Sequence, residues 1–290
     1  MREKPAALTS HELDELRALL ERRSGIRFDD AREDIFAARV REFARQAEAD
    51  GVELLRRLTA SDDEYEALLE RLLVQDTSFF RNAGWFGELG KRIIPEMQER
   101  KFWDNPRTLR IWSAACSTGE EPYSIAIAVS DALPFAEAWR IEILATDISR
   151  RALQHAERGV YTARAVANLS PQQIENYFTK TPHGFVVKPR IRKMVSFAPV
   201  NLTDAPYVGR MDCIFGTNAL ARFSEDRRDS VAHRFIESLE PGGYLVLGPA
   251  ECLTAPPARL ECVTLGDCRL YRRPAREPAL RQAVVAEGSL

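Results

Sequence analysis

The chain has 290 residues, 45% of them hydrophobic, and a formal net charge of −2, which is enough apolar material for one large core and one small one. That composition describes an ordinary soluble protein and gives no reason to expect nucleic acid or membrane insertion: no stretch approaches ~20 uninterrupted apolar residues, and the opening MREKPAAL lacks a signal-length apolar core. Five cysteines contain no C-x-x-C pair and four histidines have no ligand spacing, so metal and disulfide frameworks are both unsupported and a reducing cytoplasm is the expected setting.

The charge is unevenly spread. Met1 to Gly90 holds 14 Lys and Arg against 20 Asp and Glu, whereas Arg150 to Val195 holds nine basic residues and only Glu157 and Glu175. The second segment suits an acidic partner, or is simply the solvated basic face of a small sheet.

The first 75 residues read as helical. Thr9 with Glu12, Asp30 with Glu33 and Ser61 with Glu64 have the three-residue spacing of a capping box, and each opens an amphipathic run. Leu13, Leu16 and Leu20 share one helix face; Phe36, Val40 and Phe43 share a second; Tyr65, Leu68 and Leu72 share a third. A small bundle is predicted. The segment QDTSFFRNAGWF, Gln75 to Phe86, is too apolar for a free linker, and Thr77 and Arg81 would share one face if it is helical.

From Leu109 to Leu133 the sequence LRIWSAACSTGEEPYSIAIAVSDAL changes character twice. Leu109–Ala114 has strand length, Tyr123–Leu133 has helical spacing, and a loop of small residues joins them. Pro122 suits a first helical turn, and Ser117 and Thr118 offer side chains to its free amides. In an open α/β sheet such a junction faces the ligand crevice. Glu120 and Glu121 would repel a pyrophosphate and the Gly-x-Gly-x-x-Gly spacing is absent, so a cationic small molecule such as S-adenosylmethionine fits better; equally, both acids favour a helix N-terminus for its own sake.

Arg140–Ala145 is a second strand, ended by Thr146 and Asp147, with Ser149 capping a helix that runs to Arg158. Asp147 stands where such folds bind ribose hydroxyls, although turn aspartates are common. LSPQQIENYF opens a further helix, and Gly184–Lys188 and Arg190–Phe197 read as strands of a small inserted sheet. Val195–Val200, Met211–Phe215 and Tyr244–Leu247 supply strands for a parallel sheet, and Leu260–Leu265 and Cys268–Arg272 flank a Gly266-Asp267 turn.

TSFFR at Thr77, WSAACSTGEEPYSIAIA at Trp112, LATDIS at Leu144, GVY followed by LSPQQIENYF, VNL at Val200, IFGTN at Ile214, and PGGYLVLG then E at Pro241 occur in one order. On these motifs the chain resembles the CheR chemotaxis-receptor methyltransferases over roughly Leu8 to Arg273. The resemblance implies an all-α N-terminal domain over 1–76 and an α/β, Rossmann-like class I methyltransferase domain over 77–275. Within the latter it implies a linker over 77–90 and an antiparallel β-subdomain over about 159–194; the tail over 276–290 reads from its sequence as disordered.

The implied cofactor is S-adenosylmethionine, with S-adenosylhomocysteine as product, and the implied activity is O-methylation of glutamates on the cytoplasmic domain of a chemoreceptor, which the β-subdomain can tether. Carried over by position, Gln75, Thr77, Arg81, Ala115, Glu121, Asp147, Asn201, Leu202, Gly216, Thr217 and Asn218 are cofactor residues, and Arg81 is also the catalytic candidate. Glu121 is implied to take the ammonium, Asp147 the ribose, Asn201 and Leu202 the adenine, and Gly216 and Thr217 the methionine part; no metal is implied. The chain departs from the family pattern in places. Ala115 replaces a usual glycine, Gln75 a common asparagine, and in IFGTNALARF Thr217 replaces an arginine and Arg222 a tyrosine near the transferred methyl group. A cofactor-binding regulator without turnover is the alternative those departures leave.

Overall fold

The computed structural model describes residues 8–28, 33–104, 106–204, 208–251, 253, 260–266 and 268–275. Asp30 of the second capping box, Asp267 of the expected hairpin turn, and the tail after residue 275 lie outside them.

Helix α1 (Ser10–Ser24) starts at a capping box: the Thr9 hydroxyl accepts from the Glu12 amide at 3.3 Å, and the Glu12 carboxylate accepts from the Thr9 amide at 2.8 Å. It ends at Gly25, whose φ of 78° is the left-handed region that favours glycine. Helices α2 (Glu33–Gln46), α3 (Gly51–Ala60, capped by Asp50) and α4 (Asp62–Leu72, capped by Ser61) follow. The three predicted stripes bury together in one apolar cluster, joined by Leu54 and Leu58 of α3. Each such leucine contributes about 1.5–3 kcal/mol by leaving water.

The segment after α4 is irregular up to Asn82, and only then do α5 (Ala83–Glu88), a π-helical turn (Leu89–Ile93) and α6 (Ile94–Arg100) run on. Thr77 and Arg81 therefore do not share a helix face. Phe80 breaks the run with a left-handed φ of 49°, its amide donating instead to the Ser124 hydroxyl at 3.0 Å.

Strand β1 (Thr108–Ala114), helix α7 (Glu120–Ala132), β2 (Arg140–Asp147) and α8 (Arg150–Arg158) form the first βαβα unit. Next come β3 (Val160–Tyr161), α9 (Pro171–Tyr177), β4 (Phe178–Thr181), β5 (Gly184–Val187), the helical turn α10 (Pro189–Arg192) and β6 (Val195–Pro199). The chain closes with β7 (Met211–Gly216), α11 (Glu225–Ser238), β8 (Leu239–Leu247), β9 (Glu261–Leu265) and β10 (Cys268–Arg272).

The main sheet has the order β6-β2-β1-β7-β8-β10-β9. Its first five strands are parallel, and the antiparallel pair β10 and β9 finishes one edge. From β1 the chain moves out through β2 to β6, then returns to place β7 on the other side of β1. The order reverses there, and the crevice beyond the carboxyl ends of β1 and β7 is where such sheets bind ligands.

A second sheet, β3-β5-β4, is antiparallel. Two expectations are corrected around it. Arg190–Phe197 is not a strand of this sheet: Pro189 presets a helical φ, residues 189–192 make a helical turn, and β6 beyond it pairs with β2 in the main sheet. The helix read through Phe178 stops at Tyr177, where β4 begins.

The bundle sits across the carboxyl ends of the strands. Ile26 makes an antiparallel bridge to Phe223, and the Arg27 amide donates to the Arg222 carbonyl at 2.7 Å. Glu70 accepts from the Ser149 hydroxyl at 2.6 Å and from the Arg151 amide at 3.1 Å. Among the described residues no helix is long and apolar enough to cross a membrane.

Candidate functional site

A cavity of about 540 Å³ lies beyond the carboxyl ends of β1, β2 and β7, within the usual range for a small-molecule site. Its walls come from separate parts of the chain: Ile26 and Phe28 after α1, Phe36 and Arg39 of α2, the 74–86 segment, the loop after β1, Asp147 at the end of β2, and the loop after β7.

The loop after β1 carries the tightest geometry. Ala115 and Ser117 both have left-handed backbone, at φ 59° and 51°, and Gly119 follows at 93°. A usual glycine at position 115 has a plain reason: only glycine enters that region without steric strain. Gly119 precedes α7 with no side-chain cap, so Ser117 and Thr118 do not cap the helix as expected. The Ser117 hydroxyl donates directly to Gln75 of the segment after α4 and the Thr118 hydroxyl donates to Glu120 at 2.7 Å, which turns both away from the helix amides.

The paired acids separate in space. Glu120 is buried against Thr118 and is no part of the cavity wall, whereas Glu121 faces the cavity. The Glu121 carboxyl accepts hydrogen bonds from the Ser113 hydroxyl at 2.7 Å and from the Thr217 hydroxyl. Desolvation outweighs those two bonds and pushes it up to about 7.

Asp147 is 8% exposed; one oxygen accepts from the Ser117 amide at 2.8 Å and the other from the Ser149 amide at 2.9 Å. Burial raises its carboxyl above the ordinary value, and those two amides oppose the rise. Each oxygen keeps a lone pair for a further donor.

The remaining sequence candidates divide. Gln75, Thr77, Arg81, Ala115, Asn201, Leu202, Thr217 and Asn218 line the cavity with Glu121 and Asp147; Gly216 does not. A Cβ on Gly216 would lie 2.7 Å from the Phe235 ring, so this glycine serves helix packing behind the wall. The Asn201 side chain is taken up by the Arg23 carbonyl, Asp204 and Thr203. Arg81 donates to its neighbour Asp76 through both the carboxylate, at 3.0 Å, and the backbone carbonyl, at 2.5 Å.

One wall residue entered the sequence reading only as a departure from the family pattern, and one contributor escaped it. Arg222 lines the cavity and donates to the Val74 carbonyl at 3.2 Å, fastening the loop after β7 to the linker. Glu251, buried at 3%, accepts from the amides of Asn218, Ala221 and Gly248 at 2.7 to 2.8 Å and so sets that loop's shape. A lone acid just beyond the PGGYLVLG strand was its only signal. Ile35, Phe36 and Arg39 had none, because nothing local shows that α2 will face a cavity.

A desolvated carboxylate facing the same cavity as a second one, beyond a loop without phosphate-binding glycines, fits a cationic nucleoside: Glu121 suits an ammonium and Asp147 suits ribose hydroxyls. Fold and site together define a Rossmann-like methyltransferase. Residues 75–266 match the family described as CheR methyltransferase, SAM binding domain. The chain is 32% identical over 265 residues to Chemotaxis protein methyltransferase 1 of Pseudomonas aeruginosa, covering 88% of this chain and 95% of that relative. It is 35% identical over 202 residues to Chemotaxis protein methyltransferase 2 of Vibrio cholerae, covering 68% and 69%. Against the Chemotaxis protein methyltransferase of Salmonella typhimurium it is 37% identical over 194 residues, covering 65% and 64%. The chain belongs to the CheR methyltransferase family, and its cofactor is S-adenosylmethionine.

A pH dependence follows. The ionised Glu121 carboxylate is the form that attracts an ammonium, so cofactor affinity is expected to be level above about pH 7 and to fall by up to about tenfold per unit below it. Titration calorimetry between pH 5.5 and 8 checks this, and a flat profile excludes Glu121 as the ammonium partner.

Proposed function

We propose that this protein transfers a methyl group from S-adenosylmethionine to glutamate carboxylates on the cytoplasmic domain of a chemoreceptor, with residues 1–76 as a helical domain and 77–275 as the methyltransferase domain. The observation that carries the reading is Glu121 facing the same cavity as Asp147 beneath the linker. The names of the relatives supply the setting in chemotaxis.

The cofactor, when bound, supplies an activated methyl group on a sulfonium. In the proposal Glu121 holds its ammonium, Asp147 its ribose, the backbone at Asn201 and Leu202 borders its adenine, and Thr77 and Arg81 reach it from the linker. Thr217 keeps Glu121 pointed at the cavity. An ionised glutamate is already a nucleophile, so no general base is required. The chain's contribution is alignment and exclusion of water by α2 and the linker.

A second reading, a cofactor-binding regulator without turnover, is favoured by Arg222. A guanidinium on the cavity wall repels a sulfonium by about 1 kcal/mol at ~4 Å in water, and by more when desolvated. The deciding assay incubates the protein with methyl-labelled cofactor and receptor cytoplasmic fragments and looks for base-labile methyl ester on glutamate. Cofactor binding without ester gives the regulator; Arg222→Tyr is then expected to restore labelling if the guanidinium is the cause.

The three-stranded sheet offers β3 and β4 as edges for a receptor tether. Much of the adjoining basic character is spent internally, since Lys188, Arg190 and Arg192 donate to the carbonyls of Glu175, Asn176 and Glu157.

A further inference from the structure

The loop Ala115–Gly119 carries two left-handed non-glycine residues, Ala115 and Ser117, and is held mainly by the end of β2, with the Ser117 hydroxyl also tied to Gln75. The Cys116 amide donates to Thr146 at 2.9 Å, Ser117 donates to Asp147 at 2.8 Å, and Gly119 donates to Cys116 at 3.1 Å. One further bond arrives from a different sheet. The Tyr161 hydroxyl, on the edge strand β3, donates to the Thr118 carbonyl at 2.8 Å.

The contact is close as well as polar. A Cβ added to Gly119 would lie 2.9 Å from the Tyr161 hydroxyl oxygen, so the phenol packs directly on the turn that starts α7. The ring is 2% exposed, seated edge-on to Phe79 at 4.8 Å, with Tyr123 and His155 around it. Burial pushes the phenol well above its ordinary value, so the hydroxyl keeps its proton and remains a donor.

The same subdomain grips the facing wall. The Phe79 ring lies between Tyr161 and Phe178, at 4.8 and 5.3 Å, and the Asn168 amide donates to the Phe79 carbonyl at 3.1 Å. Phe79 sits between Thr77 and Arg81, both on the cavity wall. Both walls are thus fastened to one antiparallel sheet that is no part of the cavity itself.

We propose that Tyr161 is a positioning residue for cofactor binding: its hydroxyl fixes the loop after β1 and its ring backs the linker, so that the β-subdomain sets how tightly the cofactor is held. The proposal rests on the cofactor site described above. Any ligand that shifts β3 would thereby change cofactor affinity without touching the cavity.

The experiment compares wild type, Tyr161→Phe and Asn168→Ala by titration with S-adenosylmethionine and with S-adenosylhomocysteine, alongside thermal unfolding of the free proteins. Tyr161→Phe keeps the ring and deletes the donor. Its dissociation constants are expected to rise about tenfold for both ligands, with an unfolding midpoint within about 2 °C of wild type. Asn168→Ala, which loosens only the linker wall, is expected to raise them about threefold. In turnover, the cofactor KM rises while kcat at saturating cofactor stays within about twofold. A merely structural hydroxyl would lower the midpoint and leave the dissociation constants unchanged; that result, or unchanged constants in both variants, overturns the proposal. Absence of binding by wild type would instead remove the cofactor site on which it rests.

Discussion

Replacing Glu121 with glutamine is expected to move binding and stability in opposite directions. In the free protein this carboxyl is shifted from an ordinary value of 4.5 up to about 7 by burial. Below pH 4.5 it is protonated in both folded and unfolded chains and has no linked effect. Between 4.5 and 7 the folded chain holds a proton that the unfolded chain has lost, so stability falls as pH rises, and above 7 the loss is complete. The shift corresponds to about 3 kcal/mol, reduced to roughly 2 kcal/mol because the carboxyl opens onto the cavity. Glu121→Gln keeps the side-chain shape and abolishes that penalty. At pH 8 the ligand-free variant is therefore expected to be more stable than wild type by roughly 2 kcal/mol in urea unfolding. Its cofactor affinity is expected to fall by roughly 10- to 100-fold, because an amide gives an ammonium no countercharge. Loss of stability together with unchanged affinity would show that the carboxylate serves the fold alone.

The largest loss of stability is expected at the opposite end of the strands. Asp212 is fully buried at the start of β7, where it accepts from Lys101 Nζ at 2.6 Å, Arg100 Nη2 at 3.3 Å and the Arg110 amide at 2.9 Å. It therefore ties the segment after α6 to both central strands. Asp212→Ala strands a mostly buried lysine and leaves a backbone amide without its partner, an expected loss of about 3–5 kcal/mol. The urea midpoint should drop accordingly. Cofactor affinity of the folded fraction should stay near wild type, because the cavity lies at the carboxyl ends of these strands; a matching loss of affinity would show that the two ends are coupled.

What could be read in advance followed locality. β1 was legible as a short apolar run, β10 from its place beyond the Gly266-Asp267 pair, and α8 because Ser149 caps its start. The carboxylates were legible as chemistry, yet only packing shows that Glu121 turns to the cavity while Glu120 turns to Thr118. Arg190–Lys193 was misread because alternating Ile191 and basic neighbours imitate a strand, while Pro189 and the Lys188 carbonyl close a helical turn. Asn201 was legible as a loop residue on the wall, but its use in holding Arg23 depends on a docking event some 180 residues away in sequence.

The bridge between Ile26 and Phe223 also sets an order of events during synthesis. The two halves of that clasp are separated by nearly 200 residues of sequence. At about 5–20 residues per second, Ile26 is made roughly 10 to 40 seconds before its partner. The helical bundle can pack its own core early, but its docking edge has to wait. Chains halted anywhere before the loop after β7 would carry a folded bundle with that edge uncovered, and the cavity would acquire its roof only once that loop is made.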